Sequence, residues 1–315
     1  MKPNDNNQPT LPNFLIAGAA KCGTTALYYY LRQHPEVFMS NPKEPRFLVG
    51  FAGNQGVGPG DQHVIDHSIG TLEEYTRLFT DASGKKAIGE ASVSTLFHYE
   101  RSIPSIKRHL GDPRIIIILR DPVDSVYSTY NFLRRLGRET LSFEEALGCE
   151  EERKHAGYGW IWRYREARLY SAQVRAFQEN FSKVLVLLYD DLKSNPGWVL
   201  RSICDFLDVD PDYAFDARQV INASGIPKVA WFNALFVKPK RLHKAARKLG
   251  SIFLGEKRWV ALRERLMMMN LERPQAMPPE IARELRNFFR EDVVKLQKLI
   301  GRDLGDWIDR KERNG

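Results

Sequence analysis

Four short apolar runs punctuate the chain: "FLIAG" at 14–18, "KAIGE" at 86–90, "RIIIIL" at 114–119 and "VLVLLY" at 184–189. Each is continuous rather than alternating, the pattern of a strand buried on both faces. Between them lie stretches with apolar residues at helical spacing. The first, after "FLIAG", puts Ala26, Leu27, Tyr30 and Leu31 on one face and is predicted to stop before Pro35. Further helices are predicted at 121–136, opening at Asp121-Pro122, at 163–180, and at 279–300, where "IARELRNFFREDVVKLQKLI" separates apolar from charged positions. Strands alternating with helices predict a three-layer α/β fold, a central parallel sheet with helices on both faces.

Residues 1–12 read as a disordered tail and 13–310 as a single domain. Inside it, 50–70 ("GFAGNQGVGPGDQHVIDHSIG") is glycine-rich and lacks periodicity, so it is predicted as a mobile loop of the kind that serves as a lid. Residues 228–275 mix basic and aromatic positions and read as a helical insertion. No internal repeat is present.

Composition narrows the partners. The 315 residues carry 47 Lys and Arg against 39 Asp and Glu, a net charge of +8, which favours anionic ligands. The sign alone does not choose among nucleotide phosphates, acidic glycans, anionic membranes and nucleic acid. Three scattered cysteines, Cys22, Cys149 and Cys204, form neither a disulfide framework nor a zinc pattern, and suit a reducing compartment. The polar "MKPNDNNQPTLPN" start has no signal-peptide core, and no apolar run reaches the roughly 18 residues of a membrane span. A cytoplasmic protein is expected, touching a membrane at most from that side.

The strand "FLIAG" runs into "GAAKCGTT" and then a helix. Gly18 and Gly23 have the spacing of a P-loop and Thr25 its hydroxyl position, but Thr24 replaces the lysine, and Lys21 lies inside the loop. Backbone N–H groups and a helix N-terminus make such a turn a cradle for a diphosphate-like anion, with Lys21 at its bridging oxygen. The bland alternative is a turn that only packs a helix on a sheet. A nucleotide-hydrolysing site also needs an acid at the end of a second strand to hold magnesium. Here "IIIIL" ends in Arg120 instead, at the edge where α/β sheets bind ligands, with Ser128 two helical turns on. Arg120 and Ser128 suit a second phosphate. Each also reads singly as a surface ion pair or a packing residue.

Together "FLIAGAAKCGTTALYYYLRQHP", "PKEPRFL", "IGEAS" and "IIIILRDPVDSVYSTY" resemble the sulfotransferases that use 3′-phosphoadenosine 5′-phosphosulfate (PAPS), most of all the bacterial and heparan-sulfate-type branch with its P-loop-like fold. Weaker likeness continues through "LYSAQVRAF", "VLVLLYDDL" and "RDLGDW". The resemblance implies that Lys21, Cys22, Gly23, Thr24, Thr25 and Ala26 hold the 5′-phosphosulfate and that Arg120 and Ser128 hold the 3′-phosphate. It implies Lys21 on the leaving oxygen, no metal, and adenosine 3′,5′-bisphosphate as product. Glu44 in "KEPRF" matches the frame of the general base, and a pKa raised by burial would suit that role. Without the family it reads as a solvated carboxylate beside Lys43 and Arg46. His98 is the alternative base or an acceptor contact, and equally a structural histidine. Glu90 and Arg46 are further acceptor candidates, with a buried ion pair the other reading for Glu90. A carbohydrate or glycolipid acceptor is expected from the "KEPRF" frame.

Departures from the pattern concern acceptor and closure. Ala91 stands where the branch has lysine, Ser125 where a second basic residue is common, and no late lysine- and glycine-rich loop is evident unless Lys228 substitutes. Cys22 reads as a small filler whose thiol pKa the anion loop would lower. In 231–248 the mix of aromatic and basic residues fits a solvated face, a peripheral membrane contact or an acidic-glycan cleft, while no nucleic-acid module accompanies it. The rivals are a P-loop kinase or NTPase, and a non-catalytic nucleotide- or membrane-binding module.

Overall fold

The computed structural model describes residues 10–51, 56–216, 226–227, 271–272 and 275–309. Five strands form one parallel sheet: β1 (Phe14–Gly18), β2 (Val37–Met39), β3 (Ala87–Ala91), β4 (Arg114–Leu119) and β5 (Val184–Leu188), in the order β2-β3-β1-β4-β5. The register pairs Phe14 with Gly89 on one side and with Arg114 on the other. β1 and β3 are buried at every position, and so is β4 after Arg114, because helices cover both faces. Ile115, Ile116, Ile117, Ile118 and Leu119 are all completely excluded from solvent. That burial is why these runs are β-branched and unbroken.

The expected α/β fold is present, with differences at its edges. The "KAIGE" strand lies one residue later, and β2 was not anticipated, since "VFM" is too short to show a period. The Pro122–Arg135 helix fits the predicted 121–136 helix, and Pro279–Ile300 the predicted 279–300 helix. The 163–180 helix begins only at Tyr170 (Tyr170–Asn180), after single turns at Trp160–Trp162 and Glu166–Arg168. At the start, Leu11 already packs against the core, so the ordered chain includes part of the expected tail. Within 50–70 a helix forms at Asp61–Asp66, opened by Gly60 at φ 89°, and Asp61 is buried, so this stretch is not structureless. The insertion at 228–275, with Lys228 and the 231–248 run, lies outside the described residues apart from Gln275 and from Leu271–Glu272, which pairs antiparallel with Ile226–Pro227. No helix among the described residues is long and apolar enough to cross a membrane.

All five strands point their carboxyl ends the same way. The chain moves outward to β2 and β3, then crosses β1 to reach β4 and β5. A crossing of this kind opens a crevice at the carboxyl edge. The loop after β1, Arg120 after β4 and Tyr189 after β5 all border it.

Candidate active site

The loop after β1 owes its shape to two residues. Gly23 has φ 97°, and a Cβ there would lie 2.9 Å from Cδ2 of Tyr189, so only glycine fits. Lys21 also has positive φ (63°), a strained setting for a side chain. The Thr24–Leu31 helix that follows has no side-chain cap. The helices at Leu72–Arg77, Pro122–Arg135, Phe143–Gly148 and Pro196–Leu207 are capped by Thr71, Asp121, Ser142 and Asn195. The first-turn N–H groups of Thr24–Leu31 have no side-chain partner, as in the Tyr99–Leu110 and Tyr170–Asn180 helices, and such a helix start following a glycine turn suits an anion.

These groups open into a cavity of about 670 Å³. One end is lined by Lys21, Gly23, Thr24, Thr25, Arg120, Ser128, Phe132 and Tyr189. Lys21 Nζ lies 4.4 Å from the centre of the Phe132 ring, and the Arg120 guanidinium 5.0 Å from that of Tyr189. Each cation therefore rests on an aromatic face instead of a carboxylate, apart from a loose 3.8 Å approach of Arg120 to Asp124. Burial, then the charges of Arg135 and Arg120, bring Lys21 down to a pKa of about 8. Asp121, the acid of the strand-end motif, is turned inward: it accepts the Val123 N–H at 2.9 Å and pairs with Arg286 at 3.4 Å.

At the other end are Glu44, Arg46, Phe51, His63, His98, Arg101, Arg138, Tyr158, Trp160 and Arg163. Glu44 and Arg46 have φ of 66° and 58°, so three of the four non-glycine residues with positive φ among those described line this cavity. The Glu44 carboxylate accepts from Lys43 at 3.1 Å and Arg46 at 2.7 Å. Its pKa is not raised as expected: burial pushes it up, but the two cations outweigh burial and hold it below the ordinary glutamate value. The raised carboxyl is its neighbour. Glu90 is buried and reaches about 7, chiefly through burial with the charge of Glu44 added, against a 3.0 Å hydrogen bond donated by Ser92. Among the described residues Glu90 makes no ion pair, and it lies outside the cavity lining.

His98 does line the cavity. Burial, with Arg101 and Arg163 nearby, lowers it to about 4, so the ring is neutral, and its buried Nε2 has no hydrogen-bond partner among the described residues. Cys22 and Ala26 do not line the cavity. The Cys22 thiol is wholly buried, donates to the Ala20 carbonyl at 3.3 Å, and burial raises its pKa, the reverse of the expected drop. It packs as a small buried side chain.

Sequence reasoning missed Tyr189, Phe132, Arg101, Arg138 and the aromatic wall at Tyr158 and Trp160. The one available signal was "GYGWIW", glycines and aromatics without a period. Asp61 stitches this wall to the 56–66 segment, accepting N–H groups from Gly58 at 2.8 Å and Gly159 at 2.7 Å. Both segments thereby form the rim of the cavity.

A parallel sheet whose first strand ends in a glycine-bounded loop carrying Lys21, with a strand-end arginine beside it, is a P-loop-like α/β arrangement. More narrowly, the chain belongs to the sulfotransferase family, whose model matches residues 12–213. A crystal structure of a sulfotransferase from Alicyclobacillus acidocaldarius is 33% identical, the match covering 95% of this chain and 100% of that one, with a TM-score of 0.74. The membrane-associated sulfotransferase kil1 of Dictyostelium discoideum is 28% identical over 232 residues, 69% of this chain and 45% of its own. Human carbohydrate sulfotransferase 15 is 31% identical over 167 residues, 44% of this chain and 30% of its own. The chain therefore spans less than half the length of these two relatives.

Proposed function

We propose that the chain transfers a sulfuryl group from PAPS to a hydroxyl, or an amine, of an anionic carbohydrate. The observation that carries this reading is the two-ended cavity, anion-binding groups at one end and a carboxylate with basic and aromatic residues at the other. The donor end fits a nucleotide with phosphate at both ends of one nucleoside. Lys21, Gly23, Thr24 and Thr25 would hold the 5′ end, Arg120 and Ser128 the 3′-phosphate, and Tyr189 supplies a flat face beside them. When bound, PAPS supplies an activated sulfuryl group with a phosphate leaving oxygen. Lys21 stabilises negative charge at that oxygen. Glu44 takes the acceptor proton as the new bond to sulfur forms.

The acceptor end supports the carbohydrate reading, which the name of the human relative also suggests. Four arginines, 46, 101, 138 and 163, line it, and phenyl, phenol and indole faces from Phe51, Tyr158 and Trp160 lie among them. Sugar rings stack on such faces, and carboxylates or sulfates pair with guanidinium forks. Neutral His98 lines the same end beside them.

Calorimetric titration with adenosine 3′,5′-bisphosphate, ADP and ATP, each with and without magnesium, tests the donor. Tight binding of the bisphosphate without metal is expected. Arg120→Ala should weaken it by about 10–100-fold, the scale of charge-assisted hydrogen bonds. Preference for ATP with magnesium would sink the reading in favour of a kinase. An acceptor panel with labelled PAPS should show sulfation of acidic glycans that declines with added salt. Turnover of a phenol but of no glycan would overturn the acceptor class.

A further inference from the structure

Arg168 is a buried cation for which the described residues provide no carboxylate in contact. Its side chain is 1% exposed. The guanidinium donates to Ser125 Oγ at 3.2 Å, to the Tyr164 carbonyl at 3.3 Å and to Thr129 Oγ1, all of them uncharged oxygens. The acid whose field reaches it, Glu150, is itself bound by Arg165 at 2.9 Å. A buried charge satisfied only by neutral groups is costly, and the usual ways to lower that cost are a counter-ion or loss of charge. Guanidinium does not lose its charge in proteins.

What stands in front of Arg168 is the anion loop. Because the Arg168 Nε–H is donated into Ser125 Oγ, the Ser125 hydroxyl proton is turned to the Ala20 carbonyl at 3.2 Å. The same carbonyl accepts from Cys22 Sγ at 3.3 Å. The peptide between Ala20 and Lys21 is trans, so a carbonyl drawn toward Ser125 turns the Lys21 N–H to the opposite side of the loop, and both residues line the cavity. Hydrogen bonds in series polarise one another, and here a fixed charge heads the series.

We propose that Arg168 is a positioning residue for the donor. It holds the Lys21 amide toward the 5′-phosphate through Ser125 and the Ala20 carbonyl, and the bound nucleotide serves as its missing counter-ion. This rests on the donor reading above. Arg168 itself touches no ligand.

The test is the affinity for adenosine 3′,5′-bisphosphate and for uncharged adenosine, measured by calorimetry alongside the melting temperature of the ligand-free protein. Arg168→Met should weaken the bisphosphate about 10–100-fold and Ser125→Ala about 5–10-fold, with adenosine unchanged in both. The double variant should be no weaker than Arg168→Met within about twofold, since both act along one chain of contacts. Arg168→Lys, which keeps the charge, should recover part of the loss. A purely structural Arg168 would lower the melting temperature yet leave bisphosphate affinity intact, and that result overturns the proposal. If Arg168→Met does not fold, unchanged affinity in Ser125→Ala overturns it equally. Failure of the unmodified protein to bind the bisphosphate is a separate result: it removes the donor reading and this inference with it.

Discussion

Glu44→Gln should lower turnover by roughly 10²–10⁴-fold while bisphosphate affinity stays within about twofold, because glutamine keeps the shape but cannot take a proton. The pH profile separates Glu44 from its neighbour. Lys43 and Arg46 hold Glu44 below the ordinary glutamate value despite burial. A base with a depressed pKa is ready at neutral pH and loses activity only as the pH falls below about 4.5, the unperturbed position. Glu90 reaches about 7. Were it the base, activity would already decline as the pH dropped through neutrality. A flat profile from pH 6 to 7 that persists in Glu90→Gln is the expected result. An acid limb near 7 that disappears in Glu90→Gln would move the base to Glu90 and retire Glu44. The low pKa also sets a condition: an incoming acceptor must draw Arg46 or Lys43 away, and the anionic groups of an acidic glycan are suited to do so.

The sheet was legible because its strands are buried on both faces and therefore written as unbroken apolar runs. β2 was not, because three residues at the sheet edge carry too little pattern. That Lys21, Gly23, Thr24, Thr25, Arg120 and Ser128 share one cavity was legible for a different reason: they are contiguous, four in one turn and two on one strand–helix corner. The end proposed for the acceptor is assembled from Glu44 to Phe51, His63, His98, Arg101 and residues 138–163, and nothing local in those stretches announces that they meet. Arg168 shows the limit most clearly. In sequence it is one of many arginines on a helical approach, and only its burial against Ser125 gives it meaning. Nor can charges be read off residue types alone: burial pushes both carboxyls up, yet Lys43 and Arg46 hold Glu44 down while Glu90 reaches about 7.

Replacing Lys21 by methionine should cost about 10²–10³-fold in turnover, the scale of losing one preorganised group at a developing negative charge. Methionine still packs on Phe132, so the change removes charge with little change of volume. The pH dependence gives the sharper signature. Burial first, then Arg135 and Arg120, bring Lys21 to about 8 in the free protein. Its charge is therefore present below about 8 and lost as the pH rises through that value, well short of the 10.5 of an unperturbed lysine. An arriving phosphate favours the charged form and raises the pKa again, so binding must take up a proton above about 8. The bisphosphate dissociation constant should climb up to about tenfold per pH unit there, and heats measured in buffers of different ionisation enthalpy should reveal the uptake. Lys21→Met should bind more weakly at neutral pH and lose both the climb and the uptake. If the variant keeps them, the titrating group is not Lys21, and the cation at the leaving oxygen must be sought among Arg135 and Arg120, whose charges share the same field.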